Sequence, residues 1–130
     1  MKILVGYRGA NVGYDMLQLA AKHAQAFAAE VILMTSLEGG QKTTQGKIRE
    51  AETNLESAKK ILGDQGVSCE THLLVRGHTA GEDIVTFAYE LDCSEIIIGV
   101  KSRSKVGKLM FGSTAQHVVL QAACPVVTIK

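Results

Sequence analysis

Glycines, hydroxyls and cations are concentrated in one stretch, GVKSRSKVGKLMFGSTAQH, residues 99–117, set between two apolar segments. Gly99 lets the backbone pass close to a ribose or a triphosphate. Gly112 and Ser113 can open a helix whose free backbone N–H groups and dipole attract phosphate. Ser113 and Thr114 add hydroxyls, and Lys101, Arg103, Lys105 and Lys108 place four positive charges within eight residues. The chemistry this suits is the holding of a compact anion. An isolated G-S-T reads as well as a turn glycine with an N-cap behind it. Here the glycine spacing and the lack of nearby acids turn the reading toward the anion.

Charge placement supports this. The chain of 130 residues carries a net +1, yet after Glu95 there are five cations and no acid, which leaves −4 for residues 1–95. An anion is favoured at the acid-free end. Phe111 is the only aromatic residue after Tyr89, so a nucleic-acid groove with interleaved stacking rings is not indicated.

Common phosphate motifs fail against the loop. A Walker loop needs G-x-x-x-x-G-K-[ST], but Ser102 stands where the first glycine belongs and Leu109 where the magnesium-binding hydroxyl belongs. The dinucleotide fingerprint fails at Gly6-Tyr7-Arg8-Gly9, which has the wrong spacing. A phospho-accepting receiver would need carboxylates where this chain has Arg8 and Arg76.

No catalytic constellation accompanies the loop. His23, His72, His78 and His117 are dispersed, with no HExxH pair, so surface or core roles are expected for them, with no metal site and no enzyme activity beyond slow, incidental ATP hydrolysis. Glu82 and Asp83 are expected to open a helix, where acids suit the dipole. Cys69, Cys93 and Cys124 are odd in number, far apart and without a CxxC pair, which suggests buried free thiols.

The elements that must position the loop follow from periodicity. KILVGY (residues 2–7) reads as a buried opening strand. Leu17, Ala20, Ala21, Ala24, Phe27 and Ala28 then mark one face of a helix. VILMTSL from Val31 is a second strand. Ile48, Ala51, Leu55, Ala58 and Leu62 mark a second helix closed by Gly66. CETHLLV is a third strand, followed by a helix capped at Thr79 with Ile84, Phe87, Ala88 and Leu91 on one face. EIIIGV from Glu95 is the fourth strand. A last helix, with Ala115, Val118, Val119 and Ala122 inward, leads through Pro125 to the strand VVTI. Five strands alternating with four helices predict one α/β domain, residues 1–130, with a parallel sheet covered on both faces. An apolar fraction of 46% is ample for its core. No run approaches the length of a membrane helix and no cleavage site follows Met1, so a cytoplasmic protein without membrane contact is expected. In such a sheet, ligands bind outside the carboxyl ends of the strands where the winding reverses.

The loop resembles that of the universal stress protein family, whose nucleotide-binding members carry G-x2-G-x9-G-[ST] after the fourth strand. Gly99, Ser102, Gly112 and Ser113 match it at three of four marked places. KILV, AEVILM, VRGHTAGEDIV, DCSEIIIGV and CPVVTIK extend the resemblance along the whole chain. It implies an open five-stranded parallel sheet of order 3-2-1-4-5. It also implies an adenine nucleotide, ATP with accompanying Mg2+, in a cleft at the carboxyl ends of strands 1 and 4, and a role in regulating the stress response. Carried onto this chain, the contacts fall on Tyr7, Arg8 and Gly9, on Ser36, on Ile98, Gly99, Lys101, Ser102 and Arg103, and on Gly112, Ser113 and Thr114.

Two positions depart from the family. Binding members have an aspartate near the end of strand 1 that contacts the adenosine, and Arg8 stands there; it can stack on a base, pair with a phosphate or be a solvated loop residue. Ser102 replaces the second glycine, adding a Cβ but keeping an amide and gaining a hydroxyl, with Arg103 and Lys105 able to reach phosphate oxygens. Ser36 falls where the family has a small apolar residue beside the base. The alternative function is that of a dimeric interaction module without nucleotide. The family often dimerises through strand 5, and Val126, Val127, Thr128 and Ile129 are expected to form that interface as an edge left open at Lys130.

Overall fold

The computed structural model describes residues 1–9, 13–100 and 111–130. Five strands, β1 (Lys2–Gly6), β2 (Glu30–Leu37), β3 (Cys69–Val75), β4 (Glu95–Gly99) and β5 (Val126–Ile129), alternate with four helices. The helices are α1 (Gly13–Phe27), α2 (Gln45–Asp64), α3 (Ala80–Glu90) and α4 (Ser113–Gln121), with a single 3-10 turn, Gly40–Lys42, before α2. All strand pairs are parallel and the order is β3-β2-β1-β4-β5. The winding therefore reverses between β1 and β4, as expected.

Strand alternation sorts the core into two layers. Ile3, Val5, Val31, Leu33 and Ile97 point to the face covered by Leu17, Ala20 and Ala24 of α1 and by Leu55, Ala58 and Leu62 of α2. Leu4, Ile32, Met34, Ile96 and Ile98 point to the face covered by Ile84, Phe87 and Ala88 of α3 and by Ala115 and Val118 of α4. Most of these side chains are fully buried, each contributing about 1.5–3 kcal/mol of apolar transfer for a Leu, Ile or Val.

The helix ends follow local chemistry. Thr44 Oγ1 accepts from the Lys47 N–H and caps α2. At its other end Gly66 takes φ +75°, with Gly66 N–H bonded to Gly63 O and Val67 N–H to Leu62 O, the paired bonds of a Schellman ending. Thr79 and Glu82 form a reciprocal capping box on α3.

Two apolar stripes end sooner than their periodicity suggests. Ala28 takes φ 53° and closes α1 after Phe27, so Phe27 is exposed and Ala28 lies outside the helix. On α4, Val118 is buried but Val119 is 48% exposed, because it turns off the face that packs on the sheet.

Candidate functional site

The carboxyl ends of β1 and β2 border a cleft of about 200 Å3, lined by Arg8, Thr35, Ser36, Leu37 and, from α2, Lys47, Glu50, Ala51 and Asn54. Arg8 and Ser36, 28 positions apart in sequence, are brought together by the parallel β1–β2 pairing, in which Gly6 lies opposite Met34. Tyr7 continues this pairing beyond the strand, its N–H donating to Met34 O at 2.8 Å. Its ring is 8% exposed and lies against Gly13 at the start of α1. Tyr7 therefore supports the cleft from beneath, and burial pushes its hydroxyl pKa up. Gly9 has φ +95°, and a Cβ there would fall 2.8 Å from Asn54 Nδ2. The positive backbone angle favours glycine at that point, and a side chain there would have to displace the Asn54 amide.

Three groups from α2 come into the cleft that the sequence does not place there. Lys47 and Asn54 bring donors and Glu50 an acid; Lys47 Nζ is 2.9 Å from Lys42 O, to which it donates. Their presence depends on α2 packing across β2, which no local pattern announces.

Behind Ser36 a buried carboxylate pairs with an exposed guanidinium. Asp83 of α3 is 1% exposed. Its Oδ2 accepts from Ser36 Oγ at 2.5 Å and its Oδ1 is 3.4 Å from Arg76 Nε. Arg76 also stands over the Phe87 ring, 5.8 Å from its centroid, and reaches toward Glu90. Asp83 does lie in the first turn of α3, as its acidity suggests. A signal for more was present in the sequence: it precedes Phe87 by four positions and so falls on the apolar stripe, where a carboxylate needs a partner. Thr35, also buried, donates from Oγ1 to Tyr7 O at 2.7 Å.

On the other side of the reversal point, β4 ends at Gly99, opposite Ile129. Ile98 is 3% exposed and belongs to the core between the sheet and α3 and α4, so it shapes the crevice from below. A Cβ on Gly6 would lie 3.1 Å from Ile84 Cδ1 and 3.2 Å from Ile98 Cγ2, so a side chain at the end of β1 would press on both. α4 begins at Ser113 with Gly112 as N-cap, and no side chain caps it. Ser113 is exposed and Thr114 half-buried. Among the described residues no side chain caps the first turn, and no acid lies in it. Lys101, Ser102, Arg103 and Lys105 lie outside the described residues.

Other chemistry is not assembled. Among the described residues no group of three His, Cys, Asp or Glu could hold a metal ion. The three cysteines are free, and burial pushes Cys69 and Cys93 up to about 11, far from a reactive thiolate. No helix among the described residues is long and apolar enough to cross a membrane.

Comparison with known proteins agrees with this architecture. A universal stress protein from Archaeoglobus fulgidus superposes with a TM-score of 0.92 at 40% identity, over 100% of this chain and 98% of that one. A universal stress protein structure from the same organism in complex with dAMP gives 0.86 at 37% identity, with the same coverage. A universal stress protein of Mycolicibacterium smegmatis is 27% identical over 128 residues, 98% of this chain and 96% of its own. The model of the universal stress protein family matches residues 1–130. With sheet order, loop glycines and full-length similarity in agreement, the chain belongs to the universal stress protein family.

Proposed function

We propose that the protein binds an adenine nucleotide across the carboxyl ends of β1, β2 and β4 and acts as a stress-response regulator through the bound state. The observation that carries this is the start of α4, an uncapped helix N-terminus opening with Ser113 and Thr114 and free of acid, placed beside the end of β4 at the reversal point. Backbone N–H groups and the helix dipole there favour phosphate. The cleft between β1, β2 and α2 then takes the nucleoside end. The relative of known structure with dAMP supports an adenine ligand of this size. ATP is the proposed physiological form, with Mg2+ carried on its phosphates. Any hydrolysis of that ATP is proposed to be slow and incidental to the role.

A second reading has its own support. Arg8 stands where binding members place an aspartate, and β5 is an edge strand beside a helix that exposes Val119 and Leu120. A homodimeric interaction module would use that edge without a ligand. Thermal unfolding with ATP, AMP and inorganic phosphate separates the two readings. A nucleotide at 100 times its dissociation constant stabilises the folded state by about 2.7 kcal/mol; no upward shift with any nucleotide, while the protein remains dimeric, favours the second.

A further inference from the structure

Two of the three thiols are brought together at the end of the sheet opposite the candidate site. Cys93 and Cys124 stand just before β4 and β5, and these strands pair, with Ile96 opposite Val126 and the Ile96 N–H donating to Pro125 O at 3.0 Å. The turns that lead into them therefore run side by side. Cys93 is also fixed by its own N–H, which donates to Ala88 O at 2.9 Å. Both side chains fall on the α3 and α4 side of the sheet, Cys93 within that core and Cys124 packed against it. They line one cavity of about 140 Å3, together with Ala88, Tyr89, Asp92 and Ala123. Tyr89 is 77% exposed and Cys124 half-buried, so the cavity opens at the surface.

A pair of thiols without further ligands is itself selective. Zinc takes four ligands in a tetrahedron, whereas among the described residues no group of three His, Cys, Asp or Glu could hold a metal ion. A soft monovalent ion with a filled d shell is satisfied by two sulfurs in a line. We infer that Cys93 and Cys124 form a two-coordinate site for a soft monovalent cation of the copper(I) class. The inference stands apart from the nucleotide reading. On binding, two S–H bonds break, two sulfur–metal bonds form and two protons leave to solvent, with no change of oxidation state. The ion ties the turn before β4 to the turn before β5, and so clips the edge strand to the sheet.

The surrounding charges suit a cation. Burial and then the neighbouring Cys124 push Cys93 up to about 11, with Lys2 opposing the rise and Asp92 and Glu30 adding to it. Burial and then Glu95 raise Cys124. Three carboxylates against one lysine disfavour bare thiolates and favour a bound positive ion. Thiols held protonated in this way react slowly with oxidants, which need the thiolate. A soft cation displaces the protons by coordination instead.

The experiment is titration of the whole, reduced protein with copper(I), delivered oxygen-free as its acetonitrile complex against a chromophoric chelator, with proton release followed in weak buffer. Wild type is expected to bind one ion per chain and to release two protons for each ion. Cys93→Ala and Cys124→Ala are each expected to weaken binding at least about tenfold. Cys124→Ala changes a half-buried position and keeps the test available should the Cys93 variant unfold. Cys69 is the control: it packs against the core on the other face of the sheet and donates its hydrogen to Glu70 O at 3.5 Å, so Cys69→Ala is expected to leave binding unchanged. No binding by wild type, one ion shared by two chains, a single proton released per ion, or unchanged affinity in Cys124→Ala overturns the inference. A loss in Cys69→Ala as large as that in Cys124→Ala overturns it as well.

Discussion

His23 on α1 and Glu95 at the start of β4 meet across 72 positions of sequence, with Nδ1 2.6 Å from Oε1. The pair lies at the end of the sheet opposite the candidate site. Glu95 is only 9% exposed, so its carboxylate depends on the imidazole N–H for its hydrogen bond. His23→Ala should therefore cost about 1–3 kcal/mol, the penalty of leaving a buried acceptor unpaired. Glu95→Gln retains an acceptor for the same N–H and should cost less than His23→Ala. Urea unfolding of the two variants checks the order; equal, negligible losses would mean that water replaces the partner without cost.

The capping box gives a pH signature. The Thr79 backbone N–H, first, and then the Thr79 hydroxyl bond to Glu82 and hold its carboxyl below its ordinary value of 4.5. A carboxyl depressed in the folded state stabilises the fold above its unfolded value, and that contribution is lost as pH falls through the lower folded value. Glu82→Gln keeps the reciprocal bonds but cannot titrate. Between about pH 5 and pH 3 the wild type should thus lose more stability than Glu82→Gln. Thr79→Ala should cost about 1 kcal/mol near neutral pH. Melting curves across this range decide it, and parallel acid limbs would show that Glu82 makes no contribution.

The anion site is tested by a charge at α4. Ser113→Asp places a carboxylate among the free N–H groups of the first turn, where an acid suits the helix dipole and should leave the fold intact or slightly firmer. The same carboxylate repels phosphate, so AMP and ATP affinities should fall at least about tenfold. Unchanged affinity in this folded variant would move the phosphate away from α4.

Much of this was readable in the chain, for reasons that can be named. β3 and β5 occupy the residues their composition marks, Cys69–Val75 and Val126–Ile129, and Thr79 caps α3 because Thr-x-x-Glu is a local code. Local codes also mislead. Phe27 and Ala28 continue the apolar rhythm of α1, but a single left-handed residue, Ala28, ends the helix before it can bury them. Within the site, Arg8 and Ser36 were legible because both fall at strand ends. Lys47, Glu50 and Asn54 were not, since they reach the cleft only through the packing of α2. Ser36 could be located but not its hydrogen bond to Asp83, an acid 47 positions away.

Assembly turns on which backbone groups β5 leaves open. Ile96 N–H donates to Pro125 O and Val100 N–H to Ile129 O, so carbonyls 125 and 129, and by alternation 127, face β4. The N–H of a strand residue points the same way as its C=O, which puts Val127 and Ile129 against β4 and leaves Val126 and Thr128 donating outward. The proposed homodimer, an antiparallel pairing of two β5 edges about a two-fold axis, would be built on those two residues, with exposed Val119 and Leu120 of the neighbouring α4 available to flank it. Thr128→Pro removes an outward donor and spares the ladder to β4, so it should shift the protein to monomer while remaining folded. Val127→Pro removes a ladder bond inside the sheet and should instead cost stability. Sedimentation at tens of micromolar, about the range where modest dimers persist, reads the outcome; a wild type already monomeric there, or a Thr128→Pro variant still dimeric, would place any interface away from this edge.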